Sequence, residues 1–301
     1  MASLRDIRKH IDSVKSIKQI TYAMKMVAAA RIKRAQGAIL ASRPFAVEMD
    51  RMIADLYCEL SEEDLAGTPA RELFCERPAG GTLVLVLVTA DKGLCGSFNT
   101  NLLKASAAWL KEHRGRKIVV VAVGRKGRDF LKRLKGLDLE MAHEMVGIFP
   151  KAGYVHAQLL ADALLKLYAE RPVESVTLLY NEFKSMLTQR IVTDRLLPIK
   201  GHLLGCASGA KGKASSDFLF EPCKAELLGS LLPRHIGAQL YRMLLESQAA
   251  ELAARMNAME SASQNASELI EGLTLKMNKT RQAMITTELN EIVSGSEALG
   301  G

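Results

Sequence analysis

Aromatic side chains are scarce in this 301-residue chain, at 5% with a single tryptophan, Trp109. That excludes a bulky aromatic core and leaves few platforms on which nucleic-acid bases could stack. No stretch reaches the ~18 consecutive apolar residues that a membrane span needs. The N-terminus has no hydrophobic signal core. It is basic and amphipathic, but Asp6 and Asp12 are out of place in an organellar transit peptide. The chain therefore reads as mature cytoplasmic protein from Met1. The five cysteines are odd in number and show no CxxC spacing, which excludes a secreted disulfide framework and a zinc site. Free thiols in a reducing compartment are expected.

Catalytic signatures are also missing. The six histidines form neither HxxxH nor HExxH, the spacings that bring two imidazoles to one metal. Asp91 to Gly96 carries glycines in a GxxG spacing, as does Gly124 to Gly127. A phosphate loop needs GxxxxGK[ST] so that backbone amides wrap the phosphates, and a dinucleotide site needs GxGxxG. Neither is present, so both loops read as turns. No nucleophile, base and orienting group come together in any motif. No cofactor, no metal and no catalytic activity are expected.

What is abundant is helix-forming and basic. The hydrophobic share is 48%, there are 13 methionines, the net charge is +8 and the pI about 9.2. Such a charge suits nucleic acid, an anionic membrane surface or an acidic protein. Three regions differ in period. From Ser3 to about Tyr57 the chain reads as one amphipathic helix, with Ser3 and Asp6 forming a capping box. Leu4, Ile7, Ile11 and Val14 make a stripe that continues, after a shift of one position, as Ile17, Ile20, Met24 and Val27.

From about Gly80 to Lys200 buried strands alternate with helices. Thr82–Thr89 and Lys117–Val123 are continuous β-branched and leucine runs, and Ser175–Tyr180 is a third strand, with Val192 in one more. This alternation predicts a small α/β domain of parallel type. The segments 61–81 and 201–216 are polar connections. From about Ala225 the chain is helical again. Leu245, Leu252, Met259, Ala266 and Leu273 recur every seven residues, accompanied by Ala249, Met256, Ser263, Ile270, Met277 and Met284. That is a coiled-coil seam. At 1.5 Å per residue the terminal helices span roughly 75 and 90 Å, and neither can bury its stripe alone. The expected fold is α/β: a long antiparallel coiled coil of the N- and C-terminal helices (1–57 and 225–301) with an inserted Rossmann-like α/β domain (58–224).

Specific strings carry a family resemblance. ITYAMKMVAA (20–29) with Arg34 to Gln36, and NKTRQAMITTELNEIVSG (278–295), resemble the two terminal helices of F-type ATP synthase gamma subunits. DKGLCGSFNTN (91–101), DFLFEP (217–222), Glu246 to Gln248 and ARMNAM (254–259) fit the same family, so the likeness covers nearly the whole chain. The resemblance implies a non-catalytic central rotor shaft of a proton-translocating enzyme, which turns inside a ring of alpha and beta subunits. Its other partners would be the epsilon subunit and the membrane rotor ring of c subunits. The place would be the cytoplasmic face of the bacterial inner membrane, peripheral, with no span of its own. By the same match Met24, Lys25, Arg281, Gln282, Thr286, Glu288 and Glu291 would meet the beta subunits. Leu289, Ile292 and Val293 would form an apolar tip, and Phe218 and Phe220 would lie in the foot against the membrane ring. The alternative from a different class is a standalone basic coiled-coil module that binds nucleic acid.

Overall fold

The structure is a computed structural model and describes residues 3–60, 65, 68–78, 80–134, 138–199, 221 and 223–299. Two helices dominate: α1 (Leu4–Glu59, 56 residues) and α6 (Lys224–Leu299, 76 residues). Between them in the chain come α2 (Pro69–Phe74), β1 (Thr82–Val88), α3 (Phe98–Glu112), β2 (Ile118–Val123), α4 (Arg125–Leu131), β3 (Leu139–Met145), α5 (Tyr154–Glu170), β4 (Val173–Phe183) and β5 (Gln189–Leu197). The chain divides into two compact units, one of residues 1–29 with 255–301 and one of residues 30–254.

The larger unit holds a five-stranded sheet in the order β3-β2-β1-β4-β5. β1 pairs in parallel with β2 and β4, β2 in parallel with β3, and β5 lies antiparallel on β4. The continuous apolar runs are explained by burial on both faces: every residue of β1 and β2 is buried. Alternate side chains of β1 divide the core. Val84, Val86 and Val88 join Leu160 and Leu164 of α5, Ile53 and Leu56 of α1, and Leu240 and Leu244 of α6. Leu83, Leu85 and Leu87 face the other way, in a cluster with Leu102 and Leu110 of α3 and Leu131 next to it in chain order on α4.

Two elements differ from the sequence-based expectation. The sheet is mixed rather than parallel, because β4 and β5 form a hairpin closed at Ser185, whose hydroxyl accepts bonds from the amides of Leu187 and Thr188. β3 is an additional edge strand with alternating half-buried and exposed residues.

The smaller unit is a two-helix coiled coil. Ser3 and Asp6 form the expected capping box: the Asp6 amide donates to Ser3 Oγ at 3.2 Å, and the Ser3 amide to Asp6 Oδ2 at 3.2 Å. Ile7, Ile11 and Val14 are buried as expected. Beyond Val14 the expected stripe is corrected. Ile17, Ile20 and Val27 are exposed, and the buried positions are Thr21 and Ala28. On α6 the buried partners are Met259 and Ala266. Small side chains let two backbones approach closely, so the larger apolar residues are turned outward.

The unit also fixes where the pairing stops. Lys25 of α1 is ion-paired with Glu260 of α6. The same 21 residues separate Leu4 from Lys25 and Glu260 from Arg281. In an antiparallel pair, α1 therefore begins opposite Arg281. From Arg281 to Gly295 every residue of α6 is exposed, whereas the preceding turns keep Ile270, Leu273 and Met277 half-buried.

Cys58 is disulfide-bonded. The expectation of free thiols is corrected at that position, which is exposed on the last turn of α1. Cys75, Cys95 and Cys223 are thiols.

Candidate functional site

Two places could carry function: the crevice at the end of the sheet and the unaccompanied end of α6. The crevice is where open α/β folds bind ligands, because connections leave β1 toward opposite sides of the sheet. Here β2 and β3 lie on one side of β1 and β4 on the other. The position is filled by the chain itself. Asp91, just past β1, is buried, and its Oδ1 accepts bonds from the amides of Arg125 at 3.0 Å and Gly147 at 2.9 Å. Its Oδ2 accepts from the amide of Phe149 at 3.2 Å. One carboxylate thus ties the loops that follow β1, β2 and β3. It consumes the backbone donors that a bound anion would need.

The glycines serve the same close packing. Gly124 has φ +93°, and a Cβ there would lie 2.0 Å from the carbonyl oxygen of Thr89. Its amide donates to the carbonyl of Met145 at 2.8 Å. Gly127 donates to Thr89 Oγ1 at 2.7 Å, and its own missing Cβ would lie 2.9 Å from that oxygen. The sequence reading of both loops as turns therefore gains a specific cause.

A second cavity, of about 310 Å³, lies between β4, β5 and the neighbouring parts of α1 and α6. Two of its charged pairs are Arg190 with Glu182 at 3.0 Å and Arg242 with Glu246 at 3.1 Å, and His235 Nδ1 lies 3.2 Å from Asp50 Oδ1. Burial pushes the Tyr180 phenol far above its usual range, and the carboxylates of Glu246, Asp194 and Glu182 push it further. Both causes favour the neutral phenol over the phenolate. Among the described residues no group of three His, Cys, Asp or Glu side chains is placed to hold a metal ion.

The end of α6 is different in kind. Arg281, Gln282, Thr286, Glu288 and Glu291 are all exposed on it. They share the helix with Met284, Ile285, Leu289, Ile292 and Val293, which are exposed large apolar residues. The structure thus gathers five of the seven sequence-selected contact residues on one unaccompanied helix. Thr286 Oγ1 donates to the backbone carbonyl of Gln282 at 3.0 Å, and Arg281 and Gln282 are exposed on the same turns. The remaining two, Met24 and Lys25, are half-buried within the coiled coil. Phe218 and Phe220 lie outside the described residues. Sequence reasoning missed Ile17, Ile20, Tyr22, Met26 and Val27 as an outward apolar surface of α1. The signal for it was the seven-residue spacing of Thr21 and Ala28, which marks the true seam.

No helix among the described residues is long and apolar enough to cross a membrane. The chain thus combines an inserted Rossmann-like domain, whose crevice is filled by its own Asp91, with a coiled coil that exposes apolar side chains. The chain belongs to the gamma-chain family of ATP synthases: a family model described as ATP synthase matches residues 3–299. It is 45% identical to the ATP synthase gamma chain of Elusimicrobium minutum, with 99% of each chain covered. Its identity to the gamma chain of Geotalea uraniireducens is 42%, with 100% of each covered.

Among solved structures it is similar to a chain of the central stalk and c-ring of the Tetrahymena thermophila mitochondrial ATP synthase. The TM-score is 0.57 at 26% identity, with 81% of this chain and 99% of that one covered. A chain of the Euglena gracilis mitochondrial ATP synthase (OSCP/F1/c-ring) shares the fold at TM-score 0.66 and 20% identity, with 98% and 94% covered. These likenesses give no support to the nucleic-acid-binding alternative.

Proposed function

We propose that this chain is the central rotor shaft of a proton-translocating F-type ATP synthase, non-catalytic itself. It couples rotation of a membrane ring to conformational changes in catalytic beta subunits. The observation that carries the reading is the end of α6, where apolar and charged side chains are exposed together on a helix with no companion. A lone helix of this length is marginal in water, and burial of an apolar face is what normally stabilises it. A sleeve formed by alpha and beta subunits supplies that burial. Arg281 offers a planar fork of donors suited to carboxylates, with Gln282 and Thr286 beside it and Glu288 and Glu291 further along. Met24 and Lys25 belong to the partner-facing set on α1.

Rotation does work only if the shaft contacts its neighbours unequally, so that each beta subunit prefers a different conformation at each angle. A single helix bearing Arg281 on one side is asymmetric in that sense. The domain of residues 58–224 forms the foot, with Phe218 and Phe220 toward the ring of c subunits and the epsilon subunit alongside. The assembly sits peripherally on the cytoplasmic face of the bacterial inner membrane.

Co-expression with alpha and beta subunits tests the proposal. One copy of this chain is expected in the purified assembly, and the chain alone is expected to hydrolyse no ATP. Arg281→Ala or Gln282→Ala lowers turnover of the assembly roughly tenfold, the effect of losing about 1.5 kcal/mol of charge-assisted hydrogen bonding. ATP hydrolysis by the isolated chain, or a chain that ignores alpha and beta subunits, would overturn the reading.

A further inference from the structure

We infer that the ion pair between Lys25 and Glu260 is a register clamp, which holds α1 and α6 at one axial and rotational setting while the shaft is under load. The inference rests on the rotor reading for the load and on the coiled coil alone for the clamp. Around the pair the seam consists of Thr21, Ala28, Met259 and Ala266, all buried, with Ser263 half-buried. These side chains are small or flexible. Alanine fills successive holes of a facing helix almost equally well, so such a seam permits close approach but specifies its register weakly. Thr21 adds no specificity across the seam, because its hydroxyl donates within its own helix to the carbonyls of Ile17 and Lys18, each at 3.0 Å.

Lys25 supplies what the seam lacks. Its side chain is 27% exposed and that of Glu260 55%, and its Nζ lies 6.0 Å from the centroid of the Tyr22 ring on the same helix. An ion pair of this exposure contributes little to overall stability. It is nonetheless directional: a slip of one helical turn, ~5.4 Å, takes the two groups out of hydrogen-bonding contact in their present rotamers. Polar pairs at a coiled-coil seam act in this way, selecting one register among several of similar packing energy. With Glu260 exposed, the pair lies at the surface of the coiled coil, and Lys25 remains in the set proposed to meet the beta subunits.

A charge-swap cycle tests this. Lys25→Glu, Glu260→Lys and the double variant are made in the full-length chain, and each is followed through urea unfolding of the chain and through the assembled complex. Each single variant is expected to lower the ratio of ATP-driven proton pumping to ATP hydrolysis roughly two- to fivefold, the scale of one such ion pair. Each also shifts the unfolding midpoint downward, and the double variant restores both readouts. If the double variant is as impaired as Lys25→Glu alone, the partner of Lys25 is on another chain and the clamp is wrong. If the midpoints show coupling but pumping by the single variants equals that of the unaltered chain, the pair is structural only. The clamp then falls while the rotor reading stands. If the unaltered chain never joins the complex, the rotor reading falls and the clamp's role under load falls with it. The unfolding cycle still reports on the pair in that case.

Discussion

Gly124→Ala strongly destabilises the chain, and the soluble yield and the unfolding midpoint are both expected to fall sharply. Gly124 has φ +93° and ψ 145°, a region that residues with a Cβ essentially do not populate. The new methyl carbon would also sit 2.0 Å from the Thr89 carbonyl oxygen and 2.7 Å from its carbon. Both are backbone atoms of the residue after β1, whose amide donates to Val123 at 2.8 Å, so they cannot retreat without opening the β1–β2 pairing. Backbone strain and overpacking each cost about 1–3 kcal/mol, giving a loss on the order of 4 kcal/mol. That is a large part of the ~5–15 kcal/mol that holds an ordinary domain folded. Gly93→Ala serves as the control. No atom lies within 4 Å of the Cβ it would gain, and the midpoint is expected to move little. A Gly124→Ala chain that melts with the unaltered one would show that the ends of β1 and β2 are not packed as described.

Asp91→Ala has the second largest effect, through the opposite mechanism. It removes a group rather than adding one, and it leaves the amides of Arg125, Gly147 and Phe149 without their acceptor. Hydrogen bonds to a charged group contribute about 1.5–3 kcal/mol each, and an orphaned buried donor costs its full desolvation. Water can enter the vacated space and recover part of this, so a net loss of about 3 kcal/mol is expected. Hydrogen exchange at those three amides is the decisive reading, because it accelerates at all of them together. Asp91→Asn keeps the shape and one acceptor oxygen, and it falls between the two. Independent exchange at the three amides would mean that the carboxylate does not join the loops.

These two residues mark the boundary of what the sequence makes legible. That loops followed the strands at Asp91 and Gly124 could be read from the end of each apolar run. That one carboxylate would gather amides from three loops could not, since those amides lie up to 58 residues away in the chain. β1 and β2 were visible because burial on both faces demands uninterrupted apolar residues. β3 was not, because Glu140, His143 and Glu144 interrupt it at an edge where only alternate positions need be apolar. On α6 the heptad from Leu245 to Ala266 matches the buried positions, since its leucines and methionines are also the seam. On α1 the size of a side chain misled. Ile17, Ile20 and Val27 are the large apolar residues there, yet Thr21 and Ala28 face the partner helix. The roles proposed for Arg281 and Gln282 were legible only through family resemblance, because exposure of a charged helix end has no periodic signature of its own.

The stretch of α6 beyond Arg281 has a consequence for quality control in the cell. With every residue from Arg281 to Gly295 exposed, its turns are expected to open more readily than packed ones, and an opened turn is what a protease needs to bind a chain in extended form. In the free subunit the bonds around Arg281 are therefore among the first to be cut, while those around Ile7 and Val14 survive longer. In the assembly proposed above the same bonds would be enclosed by other subunits and protected. The helix end would then report assembly, and limited proteolysis of the free chain against the purified complex checks it.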